Sequence, residues 1–294
     1  MDILTKRETG YVGRFAPSPT GPLHFGSLVA AVASYLDARS QQGSWHLRIE
    51  DLDPTRESAS AANNIIQQLE LHGLNWDGDI LYQSERLVSY EQARDQLSLH
   101  EHLYPCICTR KETDRVYSGR CLNKAIGDLS QPHSLRFHIS ESELTIQDRL
   151  FGQLQWTKHR DMGDFIVRRK DGLDAYQLAV VVDDIHQGIT DILRGADLIH
   201  STPLQVSLFK ALREPHPRYC HIPVVLAADG RKLSKQAFAE PISSGTAVEN
   251  IRRVLNFLNQ KNIQGKSVNE LLRNATITWN IDRIPKLRGR SEKT

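Results

Sequence analysis

The chain is predicted to be an α/β protein with a parallel sheet, and three observations carry that prediction. Tyr11 to Phe15 has the alternating character of a short strand, and it leads through a Pro/Ser/Thr/Gly loop into an apolar helical pattern from Gly26 to about Ala38. Trp45 to Ile49 reads as a second strand, and Arg48-Ile49-Glu50-Asp51 places charge at its C-terminal end, where parallel α/β sheets bind ligands. Phe165 to Arg168 and Leu178 to Val182 are apolar and β-branched, as buried strands are.

The remaining elements follow in chain order. A helix is expected from about Ser58 to His72, ended by Gly73, and an amphipathic one from Ser84 to Leu99. Tyr104 to Cys121 is loop-like. Leu135 to His138, Thr145 to Arg149 and Gly152 to Trp156 are short segments separated by turns, an insertion of antiparallel character. Thr202 to Leu212 is helical, His221 to Leu226 a strand, Asp229 to Lys235 a basic loop containing Gly230, and Thr246 to Leu272 helical in period. The basic stretch from Arg283 to Thr294 is expected to be disordered, a solvated terminus or an RNA-contacting one. No internal repeat is present.

Composition narrows the function classes. The 294 residues can bury a sizeable core, and 39% hydrophobic with 24% charged residues excludes intrinsic disorder as the starting assumption. A formal net charge of +2 neither requires a nucleic-acid partner nor excludes one. The N-terminal MDILTKRETGYVGR has no signal-peptide core and no run of about 18 apolar residues follows, so a cytoplasmic protein without membrane contact is expected.

Four cysteines are too few for a disulfide scaffold, and Cys106, Cys108 and Cys121 are clustered. Three thiolates near one point suit zinc, which takes four tetrahedral ligands, so a fourth must come from elsewhere. His102 is one candidate; reduced structural cysteines are the alternative. Cys220 reads as a small buried hydrophobe.

Two segments suggest phosphate chemistry. His24 and Gly26 sit where a loop enters a helix, whose unpaired N–H groups and positive dipole end attract phosphate. The plain alternative is a structural turn with a surface histidine. Lys232 and Lys235, in Lys232-Leu233-Ser234-Lys235-Gln236, can present two ammonium groups to a polyphosphate, although lysine pairs in polar loops are usually just solvated.

Taken together, RFAPSPTGPLHFGS, RIEDLDPTR, AYQLAVVVDD, ILRGADLI and KLSKQ, in that order across residues 13 to 236, resemble the glutamyl branch of the class I aminoacyl-tRNA synthetases. HFGS stands where that family has HIGH, and KLSKQ where it has KMSKS. Phe25, Ser27, Leu233 and Gln236 depart from those signatures, whereas His24, Gly26 and Lys235 are intact.

The resemblance implies a Rossmann-type catalytic domain that joins glutamate to the α-phosphate of ATP with Mg2+ and releases pyrophosphate. The substrate carboxylate is already the nucleophile, so such a site needs positioning and phosphate-charge stabilisation rather than a general base. His24, Gly26 and Lys235 would be catalytic, with Lys232 and Ser234 also at ATP. By the same resemblance Arg14, Ala16, Ser18, Glu50, Tyr176 and Arg194 would bind glutamate: Arg14 and Arg194 its carboxylates, Glu50 its ammonium. Gln177 departs from the asparagine many members carry there. Asp183 and Asp184 are either functional or structural. In shortened members a tyrosine completes the metal set, which implies one structural zinc on Cys106, Cys108, Tyr117 and Cys121.

The expected organisation is a first half of the catalytic domain over 1–100, a zinc-bearing insertion over 101–160, the second half with the lysine loop over 161–240, and a short helical region with a basic tail over 241–294. Only 58 residues follow Gln236, too few for the anticodon-binding domain of full-length relatives. The shortened members activate glutamate without tRNA and transfer it to the queuosine base at the wobble position of tRNA(Asp), engaging its anticodon arm. A monomer with that activity is the expectation. A catalytically silent paralogue that binds tRNA or protein, or a glutamyl transferase to another acceptor, are the competing readings.

Overall fold

The computed structural model describes residues 10–124, 131–227, 230, 242, 247–260 and 262–292. The elements in chain order are β1 (Val12–Phe15), α1 (Phe25–Ser40), β2 (Ser44–Ile49), α2 (Ala59–Leu71), β3 (Leu81–Tyr82), α3 (Leu87–Leu99), β4 (Leu103–Cys106), β5 (Ser134–Phe137), β6 (Glu143–Asp148), β7 (Gly152–Thr157), β8 (Phe165–Arg168), α4 (Tyr176–His186), β9 (Asp191–Gly195), α5 (Thr202–Ala211), β10 (Arg218–Ile222), β11 (Val224–Leu226), α6 (Ala247–Phe257), α7 (Val268–Thr278) and β12 (Gly289–Ser291). They form two compact units, one from residues 1–81, 187–196 and 217–294, the other from 82–186 and 197–216.

The first unit is built on parallel pairing. β1 and β2 pair in parallel, with Arg14 opposite His46 and Phe15 opposite Leu47, and α1 is the connection between them. β9 and β10 pair in parallel with Arg194 opposite His221. β1 runs beside the start of β9, where Thr190 N–H donates to Val12 O at 2.9 Å.

Helix α1 is apolar almost all round and is buried accordingly, from Phe25 through Ala38. Its one buried acid, Asp37, accepts from the Tyr11 hydroxyl at 2.5 Å and from the Trp279 indole at 3.0 Å, which offsets the cost of removing the carboxylate from water. Helix α2 begins where Ser58 Oγ caps Ala61 N–H at 3.2 Å, and it is followed by Gly73 at φ +69°.

The second unit has antiparallel character. β5 pairs antiparallel with both β4 and β8, and β6 and β7 form a hairpin. Helices α4 and α5 pack together in the same unit.

Two sequence expectations are corrected. Leu178 to Val182 is not a strand but the middle of helix α4, with Leu178, Ala179, Val180 and Val181 all buried. A short apolar run cannot distinguish a strand from a helix buried on most sides. The segment from Arg283 is not disordered over its described length: β12 pairs in parallel with β11, Val224 opposite Gly289 and Leu226 opposite Ser291. Residues 293 and 294 lie outside the described residues.

Candidate functional site

Three buried charged side chains lie at the C-terminal ends of strands in the first unit. Arg14 is the third residue of β1, Glu50 follows the last residue of β2, and Arg194 is the fourth residue of β9. Their exposures are 6%, 7% and 4%. Charges this deeply buried persist only where other groups compensate them. Arg48, fully buried, reaches Glu50 Oε1 at 3.5 Å and donates to Gln187 Oε1 at 2.8 Å.

Arg194 rests on aromatic rings. Its Nε donates to His221 Nε2 at 3.2 Å, its guanidinium lies 5.2 Å from the Tyr219 ring centre, and the Tyr219 and His221 rings are parallel within 3°. His221 and Tyr219 were not singled out from the sequence. Their two-residue spacing on β10, with buried Cys220 between them, is the signal that puts both on one face of the strand.

The loop between β1 and α1 is stitched to its surroundings through proline carbonyls. Glu50 N–H donates to Pro17 O at 3.0 Å and Ser58 N–H to Pro19 O at 3.1 Å. Proline has no N–H to give but leaves its carbonyl free to accept. On this loop Ala16 is half-buried and Ser18 exposed.

His24 is the N-cap of α1. Ser27 N–H donates to its Nδ1 at 3.3 Å, Ser27 Oγ lies 3.1 Å from Nε2, and Leu28 N–H makes the first helical bond to His24 O at 3.0 Å. Because Nδ1 accepts, the neutral ring carries its proton on Nε2. Gly26 follows in the first turn, where backbone N–H groups point out of the helix end. Leu23, just before the cap, donates to Gln68 Oε1 at 2.7 Å and accepts from Ile242 N–H at 3.1 Å.

Tyr176 opens helix α4 in the second unit, and Gln177 beside it donates to Ser201 Oγ at 3.1 Å. Asp183 is fully buried and accepts from Gln83 at 2.8 Å, Tyr90 at 2.8 Å and Arg86 at 3.1 Å. A carboxylate so fully used by its neighbours is a structural hub. Lys232, Ser234 and Lys235 lie outside the described residues.

The second unit brings three thiols together. The Sγ atoms of Cys106, Cys108 and Cys121 all lie within 4.8 Å of one another. Tyr117 Oη is 3.6 Å from Cys106 Sγ and 3.5 Å from Cys108 Sγ, and Cys121 N–H donates to it at 3.1 Å. Burial opposes ionisation of Cys108, but hydrogen bonds from Tyr117, Arg120 and the other cysteines outweigh it and bring that thiol down to about 7. Burial and the neighbouring sulfurs push the Tyr117 phenol well above its usual value. Arg136 donates to Cys106 Sγ at 3.1 Å and stacks 3.7 Å over the Tyr117 ring. Three sulfurs and one oxygen around a single point can hold a metal ion and suit a soft divalent one. His102 is engaged elsewhere, its ring stacked on Phe137 at 5.6 Å.

The profile described as "tRNA synthetases class I (E and Q), catalytic domain" matches residues 11–282. The chain is 47% identical over 285 residues to a glutamyl-Q tRNA(Asp) synthetase of Chromobacterium violaceum, covering 94% of this chain and 95% of that one. It is 46% identical over 278 residues to the protein of that name from Klebsiella pneumoniae, covering 92% and 94%. Among solved structures, a glutamate tRNA ligase from Elizabethkingia meningosepticum superposes with a TM-score of 0.81, at 23% identity, over 97% of this chain and 67% of its own. That likeness concerns the fold. No helix among the described residues is long and apolar enough to cross a membrane. The chain belongs to the class I tRNA synthetases of the E and Q type, within the family of the glutamyl-Q tRNA(Asp) synthetases.

Proposed function

We propose that this protein activates L-glutamate with ATP in the absence of tRNA and transfers it to the queuosine base of tRNA(Asp), acting on the anticodon arm. The observation that carries the reading is the set of buried charges at the ends of β1, β2 and β9, with a histidine-capped helix start following β1 in the chain. Two arginines and one glutamate form the charge complement of a dicarboxylic amino acid with one ammonium. Relatives at 46% and 47% identity that bear the name of this activity support the same assignment.

In this reading Arg14 and Arg194 pair with the carboxylates of glutamate, Glu50 with its ammonium, and Ala16 and Ser18 shape the site. His24, Gly26, Lys232, Ser234 and Lys235 contact ATP. A glutamate carboxylate oxygen attacks the α-phosphorus, the bond to the bridging oxygen breaks, and pyrophosphate leaves. A hydroxyl of the queuosine ring then attacks the resulting carbonyl, yielding an ester and AMP. The chain supplies orientation and positive charge around the phosphates in the first step. Mg2+ arrives with ATP and offsets the polyphosphate charge. Cys106, Cys108, Tyr117 and Cys121 hold one zinc ion, whose role is to fix the fold of its own unit.

Two assays test this. Glutamate-dependent exchange between ATP and pyrophosphate without tRNA is expected; its absence would identify a silent paralogue. Radiolabelled glutamate is expected on tRNA(Asp) carrying queuosine and not on tRNA(Asp) lacking it. Label on the unmodified tRNA, or none on the modified one, overturns the acceptor assignment.

A further inference from the structure

The strand that ends the described chain is tied to the helix that carries His24. Arg290 on β12 and Glu292, just past the end of that strand, meet Phe257 and Arg253, which are four apart and so on one face of α6. Glu292 accepts two hydrogen bonds from Arg253, at 2.6 and 2.9 Å, and Arg290 donates to Phe257 O at 2.9 Å while lying 5.2 Å from its ring. Arg253 and Phe257 in turn hold one side chain of α1. The Arg253 guanidinium sits 4.6 Å from the centre of the Phe25 ring, and Phe257 meets that ring edge-on at 6.1 Å and 90°.

Phe25 is the residue between His24 and Gly26, at a position where the family signature has isoleucine. A planar ring there offers a face to a cation and an edge to an aromatic, neither of which isoleucine provides. Beyond its hold on α6, β12 pairs with β11, the last described strand before the lysine-bearing segment. Ile242, which follows that segment, donates to Leu23 O at 3.1 Å. Ile242 and β11 are therefore both connected to residues adjoining His24, Ile242 directly and β11 through β12, Glu292, Arg253 and Phe25.

We infer that Glu292 and Arg253 are positioning residues for the ATP site, acting through Phe25 to hold the start of α1 in place, with β12 as the clamp that ties this start to β11. The inference rests on the reading that His24 and Gly26 contact ATP. A bidentate guanidinium–carboxylate pair fixes direction as well as distance, which suits a role in orientation. Because Arg253 is 42% and Glu292 28% exposed, solvent screening limits the effect to a modest one.

The test measures KM for ATP and for glutamate separately in pyrophosphate exchange by the full chain. Glu292→Gln is expected to raise KM for ATP about fivefold, with KM for glutamate within about twofold, and Glu292→Asp to recover part of the loss. Arg253→Lys keeps the charge but not the paired geometry and is expected to behave like Glu292→Gln, and the double variant to be no worse than either single one. Equal changes in both KM values, no change in either, or additive effects in the double variant overturn the inference. Calorimetric titration of ATP into the same variants is read in parallel, and the thermal midpoint reports folding. If the unaltered protein shows no exchange, the functional reading fails; the ATP titration then still decides the clamp, which requires weaker nucleotide binding in Glu292→Gln and Arg253→Lys.

Discussion

Arg194 Nε donates to His221 Nε2 at 3.2 Å, across two parallel strands in which these residues are direct register partners. The bond requires His221 to be neutral, with its proton on Nδ1, because a protonated ring would present a donor to a donor. It also fixes the plane of a guanidinium that is 4% exposed. His221→Leu removes this acceptor and a ring of the platform. KM for glutamate in pyrophosphate exchange is expected to rise about tenfold, the effect of disturbing one buried polar contact, with KM for ATP nearly unchanged. A rise confined to ATP would place Arg194 at the other substrate.

Removal of metal should cost the second unit its stability. One zinc per chain is expected by elemental analysis, and Cys121→Ser should lose most of it. Chelation and Cys121→Ser should each lower the thermal midpoint by about 5–15 °C, as loss of several kcal/mol does in a chain of this size. A metal-free protein that melts at the same temperature would mean that the cysteines hold their arrangement unaided.

Asp183 should behave as a structural residue. Asp183→Asn turns one acceptor into a donor facing either Gln83 and Tyr90 or Arg86, a change worth about 2–4 kcal/mol at a buried site. Denaturant titration measures it. Wild-type stability combined with lost exchange activity would instead make Asp183 functional.

Stability should fall in mild acid. His72 is fully buried, with Nδ1 2.7 Å from Gln68 O and Nε2 3.1 Å from Asn250 Nδ2. Burial holds its pKa below the ordinary 6.5, against the opposing pull of the Gln68 bond; burial moves His102 and His186 in the same direction. The unfolded chain therefore takes up protons near pH 6.5 that the native protein refuses until lower pH. In that window the unfolded state binds more protons, so stability rises with pH, is complete above about 6.5 and is lost below it. Thermal midpoints from pH 8 to 5.5 should be flat and then fall, and His72→Gln should flatten part of the slope.

The parts of the fold legible in sequence are those in which local pattern and tertiary role agree. Val12–Phe15, the α1 helix, Ser44–Ile49 and the Ser58-capped helix each carry their own start and stop signals. The cysteine cluster was legible because CxC and a third cysteine are close in the chain, and the structure brings all three thiols to Tyr117. The run Leu178 to Val182 reads as a strand because β-branched residues favour strands, while burial on α4 overrides that preference. β12 was illegible for a different reason: its partner β11 is distant in the chain, and its basic side chains are the ones exposed tails also carry. The His221 and Tyr219 platform had a signal in its alternation but no motif to draw attention to it.

The two compact units are interleaved along the chain, and that has a practical result. After α4 completes one stretch of the cysteine-bearing unit, residues 187–196 return to the other, and the chain then goes back for residues 197–216. Cutting the backbone once cannot liberate either unit intact, and any continuous gene fragment that encodes all of one unit also encodes part of the other. Exchange of the cysteine-bearing unit between relatives would therefore need two separate grafts, with β9 and its arginine left in the recipient between them.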